Sequence, residues 1–158
     1  MAINSGALRP EIEYALRRMG CLEMVSAIVS AEDTEKCKPD PEGYRLALAA
    51  LRARRGTSAT GLGIPDGLAA SDCLVIEDSL AGIVSAKGAG MWAIGVATTY
   101  DADSLRRAGA DAVIDALAVA TPEWIERRFS LARNPARRDA GTAPVLNAAA
   151  TSVFDFDF

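Results

Sequence analysis

The sequence has 158 residues, of which 50% are hydrophobic, enough for one domain with a core of its own. Its formal net charge of −4 argues against nucleic acid or an anionic membrane as the main partner. No apolar run approaches the ~20 residues of a membrane span, and the N-terminus lacks the pattern of a secretory signal. We therefore expect a cytoplasmic protein that acts on a small molecule.

Two residue types limit the chemistry that is available. Histidine is absent, which excludes Ser-His-Asp triads and histidine-based zinc sites. The three cysteines, Cys21, Cys37 and Cys73, show no C-x-x-C spacing, so we expect reduced thiols that fill apolar positions. Any catalysis must then use carboxylates, Lys, Ser or Thr.

Apolar runs alternate with segments of helical period along the chain, a pattern typical of an α/β domain with a mainly parallel sheet. The glycines and Pro41 mark the predicted helix ends. In chain order, the predicted elements are a strand at 1–3, a helix at 8–19, a strand at 24–30, a helix at 41–56, a loop at 56–71, a strand at 73–76, a helix from 80 to Gly88, a strand at 91–96, a helix at 102–108, a strand at 112–114 and a helix at 122–129.

The C-terminal part has a different character. Residues 130–151 are rich in Ala, Arg, Pro and Asn without a clear period, and we interpret them as a poorly ordered linker. The final segment at 152–158, "SVFDFDF", alternates apolar and acidic residues, which is the pattern of a strand.

Candidate functional residues follow the predicted strands, because ligands of parallel α/β sheets bind beyond the carboxyl ends of the strands. These residues are Ser5, Lys38, Glu77 and Asp78. Adjacent carboxylates at a strand exit suit a divalent cation with oxygen ligands, such as Mg²⁺. A lysine and a serine hydroxyl beside that ion would form a phosphoryl site.

Each of these residues also has a purely structural interpretation. Ser5 could cap the helix that follows it, and Asp78 or Ser79 could cap the next one, where acidic residues are favoured at the helix N-terminus. Lys38 could be a solvated loop lysine. The residue types alone leave both interpretations open.

Three stretches, taken in order, resemble the second, third and fourth motifs of the haloacid dehalogenase (HAD) superfamily. They are "AINSGALRPEIEYALRRMG", "KCKPDPEGYRLAL" and "CLVIEDSLAGIVSAKGAGMWAIGV". The resemblance covers about residues 1–117 and points to the phosphoglycolate phosphatase and β-phosphoglucomutase-like branch. It implies a Rossmann-like three-layer α/β/α core over residues 1–129.

The resemblance also implies a function and a role for each residue. The function would be Mg²⁺-dependent hydrolysis of a phosphomonoester, with a small phosphorylated metabolite as substrate. Ser5 and Gly6 would bind the transferring phosphoryl group, and Lys38 would neutralise charge between that group and the nucleophile. Asp78, with Glu77, would hold Mg²⁺.

One departure from the family pattern concerns the nucleophile. In the family it is the first Asp of an Asp-x-Asp-Gly-Thr motif on the first strand, ahead of a cap domain, and the resemblance implies that this chain begins after both. That strand lies between those of the second and fourth motifs, so we expect an unpaired slot through which the chain could self-associate. A catalytically inactive fragment, or a binding module without a nucleophile, is the alternative function.

The segment "SVFDFDF" resembles the opening of the missing motif, and three accounts of it stay open. It could begin a second unit, it could fold back as a permuted first strand, or it could be a chance acidic and aromatic tail. In the fold-back account, Asp155 would be the nucleophile and a ligand of Mg²⁺. Asp157 would then protonate the leaving oxygen and activate water.

Overall fold

The computed structural model of the chain describes residues 1–54, 67–133 and 151–154. The described residues form a mixed α/β fold in which every pair of neighbouring strands runs parallel. The strands are β1 (Ala2–Asn4), β2 (Ala27–Val29), β3 (Cys73–Glu77), β4 (Trp92–Val96), β5 (Ala112–Ile114) and β6 (Thr151–Phe154). The helices are α1 (Arg9–Arg18), α2 (Glu42–Ala53), α3 (Leu80–Gly88), α4 (Ala102–Arg107) and α5 (Pro122–Arg133).

The six described strands form one sheet in the order β2-β1-β6-β3-β4-β5. Helices cover both faces, which gives three layers. Side chains of α2, α3 and α4 pack on one face, represented by Leu51, Ile83 and Leu105. Phe129 of α5 and Leu16 of α1 belong to clusters on the other face. The predicted α/β class, with its parallel sheet and Rossmann-like core, is confirmed.

Strand β3 is apolar up to its last residue, Glu77, because it lies inside the sheet. All five of its residues are buried, as expected for a central strand of a parallel sheet with helices on both sides. Val75 packs into the α2, α3 and α4 side, whereas Leu74 and Ile76 pack into the α5 side. This alternation carries on to Glu77, whose side chain therefore enters the α2 side.

The slot between β1 and β3 is filled by the C-terminal segment of the chain. Within β6, Phe154 pairs with Ile3 of β1 and with Ile76 of β3. This position corresponds to the fold-back account of "SVFDFDF", of which the structure describes residues 152–154, within β6. Asp155 and Asp157 lie outside the described residues. Self-association through this slot would require β6 to be exchanged between two chains.

Several predicted boundaries differ from the structure. Strand β2 begins at Ala27 and not at residue 24, because Leu22–Met24 forms a 3₁₀ turn. Helix α2 ends at Ala53, and most of the loop predicted at 56–71 lies outside the described residues. Helix α5 continues to Arg133, beyond its predicted end at residue 129. Residue pattern locates an element better than it locates the first and last residues of that element, where local signals compete.

The cysteines differ from one another in exposure. Cys73 is buried in the core beside β4, as an apolar filler would be, and Cys21 is half-buried. Cys37 is exposed, so the prediction of a core position is wrong for this residue. Its place in the loop just before Lys38 explains the difference, since this loop lies at the protein surface. Of the helices that the structure describes, none combines the length and apolarity needed to cross a bilayer.

Deleting residues 151–158 should destabilise the protein, because backbone groups of β1 and β3 would lose their partners at the centre of the sheet. We expect the free energy of unfolding in urea to fall by about 3 kcal/mol or more, given a net ~0.5–1.5 kcal/mol for each hydrogen bond. Deleting only residues 155–158 is the matched control, since β6 remains, and its stability should stay near that of the full chain. Equal stability of the full chain and the longer deletion would contradict this position of β6.

Candidate functional site

A buried ion pair lies at the carboxyl edge of the sheet. Glu77 is the last residue of β3, and its side chain is 0% exposed. Lys38 Nζ donates to Glu77 Oε1 at 2.9 Å, and the Tyr44 hydroxyl of α2 donates to the same oxygen at 2.8 Å. Lys38 Nζ also lies 3.5 Å from the carbonyl oxygen of Asn4 at the end of β1. The ammonium is thus held between the exits of β1 and β3.

The second oxygen of Glu77 is engaged by the start of α3. Ser79 donates to Glu77 Oε2 through its backbone N–H at 3.2 Å and its hydroxyl at 3.0 Å. Ser79 Oγ in turn accepts from the backbone N–H of Gly82 at 3.0 Å. A Cβ added at Gly82 would overlap the Glu77 carboxylate, so only glycine leaves room for it there. The carboxylate therefore has hydrogen-bond donors on both oxygens.

Asp78 has a different environment from its neighbour. It is partly exposed, and its Oδ2 accepts a hydrogen bond of 2.6 Å from the hydroxyl of Thr99, which follows β4. Its Oδ1 accepts no hydrogen bond from the part of the chain that the structure describes. Glu77 and Asp78 thus have separate partners, which differs from the predicted clamp in which both carboxylates hold one ion.

The fit of Mg²⁺ to these residues can be judged from the donors. Asp78 offers a carboxylate oxygen without a hydrogen-bond donor at the strand exit, which suits a hard cation. Glu77 would have to release Lys38 or Ser79 before it could bind a metal directly. Among the described residues, no three acidic or cysteine side chains gather into a complete metal site. The third predicted ligand, Asp155, lies outside those residues.

Ser5 and Gly6 follow β1 at the same edge of the sheet. Ser5 is buried, and its Oγ accepts from the backbone N–H of Ala7 at 3.1 Å. This contact closes a turn ahead of α1, but the residue that caps this helix is Leu8, so the structural interpretation of Ser5 as a helix cap is wrong. A serine hydroxyl can both donate and accept hydrogen bonds, so this residue type suits a phosphate-binding position.

A cavity of about 290 Å³ opens between these elements. Asn4, Ser5, Gly6, Lys38 and Ser79 are among its lining residues. The structure therefore brings Ser5, Gly6 and Lys38 together around one space. Ser79, the residue that caps the start of α3, lines the same space. Asn4 and Tyr44 were missed by the sequence analysis. The alternation of Asn4 with Ala2 along β1 was a signal that could have found Asn4, whereas no local signal marked Tyr44.

The loop that carries Lys38 is anchored just after β2. The backbone N–H and the hydroxyl of Ser30 both donate to Asp33 Oδ2 at 2.7 Å, and Arg9 donates to the same oxygen. These hydrogen bonds from Ser30 hold the pKa of Asp33 below its usual range. Because the folded pKa is depressed, this contribution to stability is present above the unfolded pKa of Asp33 and is lost as the pH falls through the folded value.

The sequence of the chain matches known proteins over this same region. A family model described as haloacid dehalogenase-like hydrolase matches residues 1–90, which include the ends of β1 and β3 and the Lys38 loop. The chain belongs to this family. The HAD-like match covers Asn4, Lys38 and Glu77, so the ion pair lies inside the matched region.

Relatives of this HAD-like chain carry names of enzymes that act on phosphorylated compounds. It is 36% identical over 106 residues to validoxylamine A 7'-phosphate phosphatase of Streptomyces hygroscopicus subsp. limoneus, covering 67% of this chain and 42% of that protein. It is 32% identical over 117 residues to β-phosphoglucomutase of Bacillus subtilis, covering 72% of this chain and 44% of that protein.

Solved structures agree with the fold. The chain superimposes with a TM-score of 0.56 and 27% identity on CbbY from Rhodobacter sphaeroides, a structure in complex with phosphate, covering 75% of this chain and 48% of that one. The chain therefore spans about half or less of the length of these relatives.

Removing the Lys38 ammonium should leave a buried carboxylate without a counter-charge. We expect Lys38→Met to lower the free energy of unfolding by about 3 kcal/mol, the usual cost of breaking a buried pair. Glu77→Gln should lower the free energy of unfolding less in the Lys38→Met background than in the wild type. In that background it removes a buried carboxylate that no longer has a counter-charge. Urea denaturation of the two single variants and the double variant measures this coupling. Additive effects would contradict the ion pair.

The thiols should differ in reactivity. Burial raises the pKa of the Cys73 thiol to about 11, and the neighbouring Asp72 acts in the same direction. Iodoacetamide at pH 8 should therefore label the exposed Cys37 in the folded protein and leave Cys73 unmodified, as measured by peptide mass spectrometry. Labelling of both at one rate in native buffer would be inconsistent with this structure, and labelling in urea is the control for intrinsic reactivity.

Proposed function

We propose that this chain is a Mg²⁺-dependent phosphomonoester hydrolase of the HAD type. The observation that carries the proposal is the position of β6 between β1 and β3. One residue beyond the described pairing of Phe154 with Ile3 and Ile76, a continued register would set Asp155 beside Asn4 and Glu77. A carboxylate there would face the ammonium of Lys38 and the cavity described above.

The proposed reaction has two steps on a phosphate ester. A carboxylate oxygen of Asp155 forms a bond to phosphorus while the ester P–O bond breaks, and Asp157 donates a proton to the departing alcohol oxygen. Water then attacks phosphorus and gives a proton back to Asp157. This second step breaks the bond between phosphorus and Asp155 and releases inorganic phosphate.

The other site residues bind and orient the phosphoryl group in this proposal. Lys38 supplies a positive charge that Glu77, Tyr44 and the Asn4 carbonyl keep in one place. Ser5 and the backbone after it, including Gly6, donate hydrogen bonds to phosphoryl oxygens. The preorganised ammonium favours the charge that develops as phosphorus is attacked.

Asp78 and Asp155 would hold Mg²⁺, with Glu77 acting through Lys38 instead of binding the ion directly. When bound, Mg²⁺ neutralises phosphoryl charge and orients the ester for attack. Thr99 fixes the Asp78 carboxylate through its 2.6 Å hydrogen bond, so that one oxygen keeps a constant direction.

The proposed substrate is a small phosphorylated metabolite. The cavity of about 290 Å³ is large enough for a phosphoryl group and a small organic group attached to it. The names of the relatives, which include glycerol-1-phosphate phosphohydrolases of Saccharomyces cerevisiae, agree with an alcohol phosphate. A second copy of the chain is a further proposed partner through exchange of β6, and light scattering of the full chain and of the 151–158 deletion would detect it.

The first test is hydrolysis of p-nitrophenyl phosphate by the purified chain with and without Mg²⁺. We expect Mg²⁺-dependent activity that falls roughly 1,000-fold or more in Asp155→Asn, because the nucleophile is removed. Asp78→Asn should lower activity and raise the Mg²⁺ concentration needed for half-maximal rate. Asp103→Asn is the matched control, since Asp103 is an exposed carboxylate on α4, paired with Arg106.

The outcomes separate the two functions considered. Activity that survives in Asp155→Asn would overturn the proposed nucleophile. A chain that binds inorganic phosphate but hydrolyses no ester would instead be the inactive binding module of the alternative. Protection of Cys37 from iodoacetamide by phosphate reports such binding independently, because Cys37 also lines the cavity.

A further inference from the structure

The side chain of Asn4 has a polar group that the proposed chemistry does not use. Asn4 is the last residue of β1 and is only 4% exposed. Its Nδ2 makes no hydrogen bond within the part of the chain that the structure describes. Buried side-chain donors without a partner are rare, since each one loses its hydration without compensation. An acceptor atom of a bound ligand would supply the missing hydrogen bond.

The surroundings of Asn4 indicate the chemistry of that acceptor. Asn4 lines the 290 Å³ cavity together with Lys38, Ser5 and Ser79. Asn4 and Lys38 therefore border the same space, and the backbone carbonyl oxygen of Asn4 lies 3.5 Å from Lys38 Nζ. An amide nitrogen only donates hydrogen bonds, and an ammonium favours negative charge. An acceptor that suits the Asn4 donor in a cavity lined by an ammonium is an oxyanion.

Packing against α2 also holds the side-chain amide of Asn4 in position. Gly43, in the first turn of α2, approaches it so closely that an added Cβ would overlap Asn4 Oδ1 and lie 3.0 Å from Nδ2. Any larger residue at position 43 would therefore displace the amide. The close packing fixes the direction of the donor before a ligand arrives, which lowers the entropic cost of binding.

We propose that Asn4 Nδ2 donates a hydrogen bond to a phosphoryl oxygen of the ligand, beside the ammonium of Lys38. Asn4 is then a substrate-binding residue in addition to Ser5, Gly6 and Lys38. This inference deepens the proposed function and rests on it for the identity of the ligand. Binding of inorganic phosphate tests it without any requirement for hydrolysis.

The test is titration of inorganic phosphate by calorimetry against the full chain and Asn4→Leu. Leucine has the same branching as asparagine and no donor, so the close packing against Gly43 is retained. We expect the phosphate Kd to rise about tenfold, equivalent to about 1.4 kcal/mol. The melting temperature should not fall, because a buried donor without a partner is removed. A loss of affinity without a loss of stability is the pattern of a binding residue.

Two further variants control for packing. Ser85→Ala removes a buried hydroxyl that donates to the Asp40 carbonyl at 2.7 Å, and it should lower the melting temperature while the phosphate Kd stays unchanged. Gly43→Ala keeps Asn4 but displaces its amide, and it should raise the phosphate Kd. If Asn4→Leu does not fold, the Gly43→Ala titration decides the question.

A wild-type Kd in Asn4→Leu, or in Gly43→Ala when the first variant does not fold, would overturn the assignment of Asn4. Absence of phosphate binding by the full chain would overturn it as well, since the amide would then have no oxyanion to bind. Binding that depends on Asn4, in a chain without esterase activity, would support the assignment and reject the hydrolase.

Discussion

The central constraint on this structure is the pairing of β6 with both β1 and β3. Backbone N–H and C=O groups at the middle of a sheet have no access to water and must be paired by another strand. The strands on either side carry the two halves of the candidate site, with Asn4 and Ser5 after β1 and Glu77 and Asp78 after β3. The strand that completes the sheet therefore also sets the distance between the two halves.

The site is built around a charge that the fold has removed from water. Burial of Glu77 would be costly without the donors that surround it, and Lys38, Tyr44 and Ser79 provide them from three separate segments. The same contacts hold the Lys38 ammonium at the edge of the cavity. In the proposed function, stability and phosphate binding are thus linked, because the group that neutralises the buried carboxylate is also the one that would face the ligand.

Two glycines allow this arrangement by leaving space for polar side chains. Gly82 in α3 makes room for the Glu77 carboxylate, and Gly43 in α2 makes room for the Asn4 amide. In both cases a helix begins close to the end of a strand, and a Cβ on the helix would occupy the place of the polar group. Helices α2 and α3 thereby enclose one side of the cavity while their first turns stay close to the strands.

The sequence predicted the alternation of strands and helices well, because hydrophobic period depends only on which face of each element is buried. It was weaker at element ends such as residue 24 and residue 129, where local signals compete. The predicted importance of Lys38 and Asp78 came from their order in the chain. The hydrogen-bond partners of Glu77 and Asp78 could not be predicted in the same way, since nothing in the local sequence marks Tyr44 or Thr99 before the fold brings them to these carboxylates.

By itself the sequence determined the α/β class, the family resemblance and the residues that follow each strand, since these depend on local pattern. Only the tertiary structure decided that residues 151–154 lie between β1 and β3, because three accounts of that segment had the same local pattern. It also gave Glu77 and Asp78, which are adjacent in the chain, separate hydrogen-bond partners. The physical reason is that successive residues at a strand end point into different surroundings, so Glu77 enters the core and pairs with Lys38 while Asp78 stays at the edge.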